Sequence, residues 1–85
     1  MPDSIPESTI EQIIAESEIS AEKMGAKTTV VHATLPNGFE VVTSAACNNP
    51  EDYDHELGRE IAMRRLKDKV WELAGFEAHG PLIDA

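Results

Sequence analysis

The stretch Leu35-Pro36-Asn37-Gly38-Phe39 constrains this chain more than any other. It separates two runs rich in β-branched residues, 28–35 and 39–43, and so reads as the turn of a β-hairpin. Pro36 presets φ near about −65° for the first turn position, Asn37 suits the next, and Gly38 accepts a left-handed conformation. A three-residue loop with a glycine bulge pairs Leu35 with Phe39, Ala33 with Val41 and Val31 with Thr43. One face then carries Val31, Ala33, Leu35, Phe39 and Val41. The other carries Val30, His32, Thr34, Glu40, Val42 and Ser44. A two-residue loop would put Glu40 opposite Leu35 on the apolar face, because a one-residue slip exchanges the two faces. Val30 and Val42 form a small apolar spot on the second face, where another chain can pack.

A two-stranded hairpin is not stable alone in water, so its apolar face must be covered. Ile10, Ile13, Ile14, Ser17, Ala21 and Met24 follow a 3.6-residue period and predict a helix over residues 6–24. Ser4 with Glu7, or Ser8 with Glu11, has the spacing of a capping box, Pro6 is tolerated in a first turn, and Gly25 is the terminator. Ile19 alone falls off the stripe. Leu57, Ile61, Ala62, Leu66, Val70, Leu73 and Ala74 predict a second helix over residues 50–74, ended by Gly75. Asn49 is its candidate cap with Pro50 at the first position, and Asp54 is the alternative cap if the first turn is separate. Gly58 costs roughly 1 kcal/mol against alanine in a helix, which close packing against another backbone would explain. Residues 77–85 read as a loose tail in which Leu82 and Ile83 can dock. The expected fold is α+β: one α-β-β-α domain over residues 1–85, an antiparallel hairpin packed against two helices, with an exposed strand edge on each side.

With 85 residues, the chain buries a modest core, and a homo-oligomer (dimer or higher) is the natural remedy. Its net charge is −9, which excludes a protein that grips nucleic-acid backbone over a broad surface. The charge is uneven: residues 1–25 hold six acids and one base, residues 26–50 one of each, and residues 51–85 nine acids and five bases. A single cysteine, Cys47, cannot form an internal disulfide and points to a reducing compartment. No apolar run approaches the ~20 residues of a membrane span, and residues 1–8 do not read as a signal peptide.

Catalytic chemistry finds little support. Cys47 with His55 or His32 would be a nucleophile and base without an oxyanion loop or third member, and a small, partly buried cysteine at a strand–helix junction accounts for it better. Cys47, His32, His55 and His79 match no zinc spacing, and Asp52, Asp54 and Glu56 lack a calcium loop and read as acids complementing a helix start. The reading is therefore no catalytic residues, no metal and no cofactor. The one basic cluster, Arg64-Arg65-Leu66-Lys67-Asp68-Lys69 with Arg59 before it, is either a solvated helix face or a local anion site. Trp71 serves better as an anchor between hairpin and helix than as a stacking platform. Glu11, Glu18 and Glu22 on the acidic first helix either keep the protein dissolved or imitate a line of phosphates.

Leu35-Pro36-Asn37-Gly38-Phe39-Glu40-Val41 is followed in order by Ser44-Ala45-Ala46-Cys47, Pro50-Glu51-Asp52-Tyr53-Asp54, Glu56-Leu57-Gly58-Arg59, Ile61-Ala62, Lys69-Val70-Trp71-Glu72-Leu73 and Gly75-Phe76. This series, over roughly residues 28–76, resembles a family of small tailed-phage proteins typified by gene forty-nine of phage N-four and gene sixty-six of phage Sf-six. The resemblance implies a phage gene expressed in a bacterial cytoplasm and brings no catalytic residues with it. The expected function is a non-enzymatic phage accessory protein that binds a host protein, for host takeover or anti-defence. Glu11, Glu18, Glu22, Val30 and Val42 are its candidate contacts, with the acidic surface as a nucleic-acid mimic. The alternative is a protein that sequesters a small anionic ligand, such as a signalling nucleotide, at Arg59, Arg64, Arg65, Lys67 and Lys69. A small enzyme using Cys47 and His55 ranks third.

Overall fold

A computed structural model describes residues 5–80. In chain order they form helix α1 (Glu7–Glu16), strands β1 (Glu18–Met24), β2 (Thr28–Thr34) and β3 (Glu40–Ala46), a 3-10 turn (Pro50–Asp52) and helix α2 (His55–His79). The strands make one antiparallel meander in the order β1-β2-β3.

The hairpin expected around Pro36-Asn37-Gly38 is present in the expected register, with Ala33 opposite Val41 and Val31 opposite Thr43. The Leu35 N–H donates to the Phe39 carbonyl at 2.8 Å, the Gly38 N–H donates to the Leu35 carbonyl, and Gly38 has φ of 90°. The Asn37 side chain accepts from the Phe39 N–H at 3.0 Å, which locks the turn.

The main difference lies upstream. Helical structure over residues 6–24 stops at Glu16, and residues 18–24 are a third strand. Ser17 is the pivot. Its N–H closes the last turn onto the Ile14 carbonyl, its hydroxyl donates to the Ile13 carbonyl at 2.6 Å, and its own backbone is extended. The pairing with β2, from Glu18 opposite Thr34 to Met24 opposite Thr28, outweighs the local helical pattern. Ile19, the residue off the helical stripe, then falls in phase with Ala21 on the covered face, and Met24 stands 60% exposed. Gly25, with φ of 78°, turns the chain from β1 into β2 instead of ending a helix. At the N-terminus of α1 no side chain among the described residues caps the helix, the Pro6 carbonyl accepts from the Thr9 N–H, and Ser4 of the expected capping box lies outside the described residues.

The second helix is displaced towards the C-terminus. Pro50–Asp52 form a separate 3-10 turn for which Asn49 provides no side-chain cap, and Asp54 caps α2 by accepting from the Leu57 N–H at 3.2 Å. Gly75 does not terminate the helix, which runs on to His79 and ends at Gly80 with φ of 92°. Residues 77–79, read as tail, are therefore helical, and Leu82 and Ile83 lie outside the described residues.

The protein is thus a two-layer α+β structure, with a three-stranded sheet where two strands were expected. α2 lies across β3 and β2, and α1 packs beside α2. The core between the layers is Ile10 of α1, Val31, Ala33, Leu35, Val41 and Ala45 of the sheet, and Ala62, Leu66 and Val70 of α2. Half-buried Trp71 packs against this core, in keeping with an anchoring role. At Gly58 α2 lies tight against the sheet: a Cβ there would sit 2.4 Å from Thr29 Oγ1. Leu57, placed on the buried face by periodicity, is 53% exposed, because the glycine beside it takes the contact position. Among the described residues, no helix covers the far face of the sheet.

Candidate functional site

Three regions are candidates for function, and the second and third hold the chemistry that the sequence singled out. The first is an apolar groove of about 540 Å³ between the hairpin tip and the last turns of α2. Ile13, Leu35, Phe39, Val70, Leu73 and Phe76 line it. Phe39 emerges just past the glycine bulge, beyond the end of the sheet, and Phe76 lies in the part of α2 that runs past Gly75. Both are 53% exposed. Phe39 thus stays on the side to which alternation assigned it but is only half covered, at the mouth of the groove. The sequence offered a signal for Phe39 in its position at the turn. It offered none for Phe76, because a helix ended at Gly75 leaves that residue out.

The second region is a polar node at the opposite end of the sheet, around a cavity of about 120 Å³ lined by Thr29, Cys47, Tyr53, Asp54, Gly58 and Ile61, among others. The hydroxyls of Thr29 and Tyr53 share a hydrogen bond of 2.8 Å, and Tyr53 Oη reaches His55 Nδ1 at 3.0 Å. Lys23 Nζ lies 4.8 Å above the Tyr53 ring, within cation–π range. Cys47 Sγ donates to the Asn49 carbonyl at 3.0 Å and its N–H to the Lys27 carbonyl. The nucleophile–base pairs considered for Cys47 are not hydrogen-bonded: His55 is engaged with Tyr53, and His32 stands on the open sheet face, 2.7 Å from Glu40 Oε1. Among the described residues, no group of three or more His, Cys, Asp and Glu side chains is placed to hold a metal ion.

The third region is the charged surface, and here the sequence groupings come apart. Glu11 lies on α1, whereas Glu18 and Glu22 lie on β1 and point with Glu40 to the open sheet face, so they form no single helical stripe. Val30 and Val42 share that open face, where Val42 is 62% exposed and Val30 half-buried. The basic residues of α2 point in different directions. Lys67 Nζ turns to α1, 2.7 Å from Glu7 and 3.6 Å from Glu11. Arg65 reaches the other way and donates to the Ser44 carbonyl of β3 at 2.6 Å. Lys69 pairs with Glu72, and Arg59 and Arg64 are exposed. The hydrogen bond and charge of Lys67 hold the Glu7 carboxyl below its ordinary range, and the hydrogen bond to Glu7 lifts Lys67 above its own against the opposing effect of burial.

These features define a small two-layer α+β protein with an open sheet face and an apolar groove at one end. The chain belongs to the Phage protein (N4 Gp49/phage Sf6 gene 66) family, whose model matches residues 5–82. Comparison with curated proteins and with solved structures gives no significant match. No helix among the described residues is long and apolar enough to cross a membrane.

Proposed function

We propose that this member of the phage family is a non-enzymatic accessory protein that acts in the host cytoplasm by binding a host protein, and that the apolar groove is the contact. The observation carrying this reading is the pair of half-exposed phenylalanines, Phe39 and Phe76, on the rim of a groove floored by Leu35, Val70 and Leu73. Clustered exposed apolar surface around a concavity is a mark of a protein-binding site, and a groove of this kind suits the apolar face of an amphipathic helix. Glu77 at the rim gives an acidic edge that favours a partner segment with basic residues beside its apolar stripe.

Two other readings draw less support. Phosphate mimicry would have to run through Glu18, Glu22 and Glu40 on the open sheet face, since Glu11 faces Lys67. Sequestration of an anionic ligand would need Arg59, Arg64, Arg65, Lys67 and Lys69 to converge, and three of them are already engaged elsewhere.

Affinity capture from host lysate tests the proposal. A host protein should be retained by the wild type and by Glu18→Lys/Glu22→Lys, and lost from a Phe39→Asp/Phe76→Asp double variant that keeps its circular dichroism spectrum. Equal retention by the phenylalanine variant overturns the groove as the contact. Loss with the glutamate variant alone favours mimicry.

A further inference from the structure

Antiparallel pairing alternates: residues exchanging both hydrogen bonds with the neighbour strand are followed by residues whose N–H and C=O point the other way. The phase of this sheet is fixed at both ends of the β2–β3 ladder, by Leu35 N–H to Phe39 and by Cys47 N–H to Lys27. Glu40, Val42, Ser44 and Ala46 therefore direct their backbone groups outward from the β3 edge, and Ile19, Ala21 and Lys23 direct theirs outward from the β1 edge. The two edges are treated differently. On β3, Arg65 reaches over from α2 and occupies the outward Ser44 carbonyl at 2.6 Å. On β1, a seven-residue strand in unbroken register, there is no proline and no bulge, and among the described residues no side chain bonds to its outward backbone groups. Its one cation, Lys23, is turned onto the covered face over Tyr53. Exposed edges are usually blunted, so an unprotected one of this length is a place for another strand.

We propose that the occupant is β1 of a second copy, paired antiparallel about a two-fold axis through Ala21. Outward-facing residues must meet outward-facing residues, which leaves only registers that pair odd-numbered positions with odd-numbered ones. Centring on Ala21 overlaps the whole strand. Ala21 pairs with the partner's Ala21 and Ile19 with the partner's Lys23, each pair exchanging both N–H···O=C bonds. On the open face, Ser20 meets the partner's Glu22 and Glu18 meets the partner's Met24, so no two carboxylates are directly opposed. The neighbouring allowed registers are worse on both counts. One sets Glu18 against the partner's Glu22 twice, the other sets Glu22 against the partner's Glu22, and like charges directly opposite destabilise a sheet. The product is a six-stranded antiparallel sheet with all helices on one side and one continuous bare face. The pairing uses none of the residues of the apolar groove, so its failure and that of the proposed function are distinguishable.

The register is tested by charge at Ser20, which is exposed and lies opposite the partner's Glu22. Sedimentation equilibrium should show a wild-type dimer. Ser20→Lys should tighten it and Ser20→Glu weaken it, each by about 2- to 30-fold through two symmetry-related cross-strand pairs. Ala21→Pro, which removes the central outward N–H while sparing the β1–β2 ladder, should abolish it. Arg65→Met at the other edge should leave the mass unchanged. Unfolding midpoints of the Ser20 variants confirm that the monomer fold is intact. A wild type that stays monomeric at its highest soluble concentration overturns the proposal. So does a dimer indifferent to the Ser20 charges, or one lost only on changing Arg65.

Discussion

Replacing Gly58 with alanine sets two opposed effects against each other on one carbon. In an exposed helix interior the change would be worth roughly 1 kcal/mol in favour of alanine. Here the added Cβ would lie 2.4 Å from Thr29 Oγ1 and 3.0 Å from Thr29 Cβ. Thr29 is fully buried, is β-branched with a stiff χ1, and holds the Tyr53 hydroxyl at 2.8 Å. Relief requires Thr29 to rotate, which forfeits that hydrogen bond at about 1 kcal/mol, or α2 to lift away from β2, which loosens Ala62 and Leu66. Overpacking of this kind costs about 1–3 kcal/mol. The 2.4 Å approach sets it at the upper end, so after the helical gain of roughly 1 kcal/mol Gly58→Ala should destabilise by about 1–2 kcal/mol. For a domain of this size that is a fall in Tm of about 4–16 °C. Urea unfolding followed by far-UV circular dichroism and by Trp71 fluorescence measures it. In a Thr29→Ala background the cost should shrink by about 1 kcal/mol, since the hydroxyl and methyl are gone. A Gly58→Ala protein as stable as the wild type, or an unchanged cost beside Thr29→Ala, would refute the close-contact account.

Other perturbations probe other layers. Asp54→Ala removes the side-chain cap on the Leu57 N–H and should cost about 1 kcal/mol in urea unfolding, whereas Asn49→Ala, which supplies no cap, should cost little. Leu66→Ala empties the centre of the core and should cost about 2–5 kcal/mol, enough to leave much of the protein unfolded at 37 °C. The Lys67–Glu7 pair should give a small, salt-sensitive pH dependence. Because the Glu7 carboxyl is held below its ordinary 4.5, its contribution is present above that pH and lost as pH falls through the lowered value. Because Lys67 is held above 10.5, the same contribution is lost again as pH rises through its raised value. The stability difference between wild type and Lys67→Met, measured from pH 3 to 8, should therefore close at the acid end.

The hairpin was legible because its information is local: Pro36, Asn37 and Gly38 each restrict the backbone, and only one register keeps Glu40 off the apolar face. Gly58 was legible for a similar reason, since a glycine inside a helical pattern demands a close neighbour, although the neighbour, Thr29, was not. β1 was hidden because residues 10–24 satisfy two periods at once. Ile14, Ser17, Ala21 and Met24 fit a helix, Ile19 and Ala21 fit a strand, and the choice is made by β2, outside the window. The second helix was set too early because Asn49-Pro50 is a good start on its own. Only the cap by Asp54 and the turn at Tyr53 show that α2 begins later. Of the candidate contacts, Val30, Val42, Glu18 and Glu22 do share a face, but as a consequence of strand alternation rather than of a helical stripe. The groove escaped because Phe76 becomes part of it only when α2 continues through Gly75.

The placement of α1 has a consequence for the order in which the protein assembles. The meander and α2 are built from elements adjacent in sequence, joined by short turns, and can form as the chain emerges. Helix α1 instead packs on α2, and the contact from Glu7 to Lys67 spans 60 residues. During synthesis α1 is made before the sheet and α2, yet the helix it packs on is complete only once α2 has left the ribosome. Its docking closes a loop of 60 residues, so α1 finds its place after the sheet and α2 that are translated behind it.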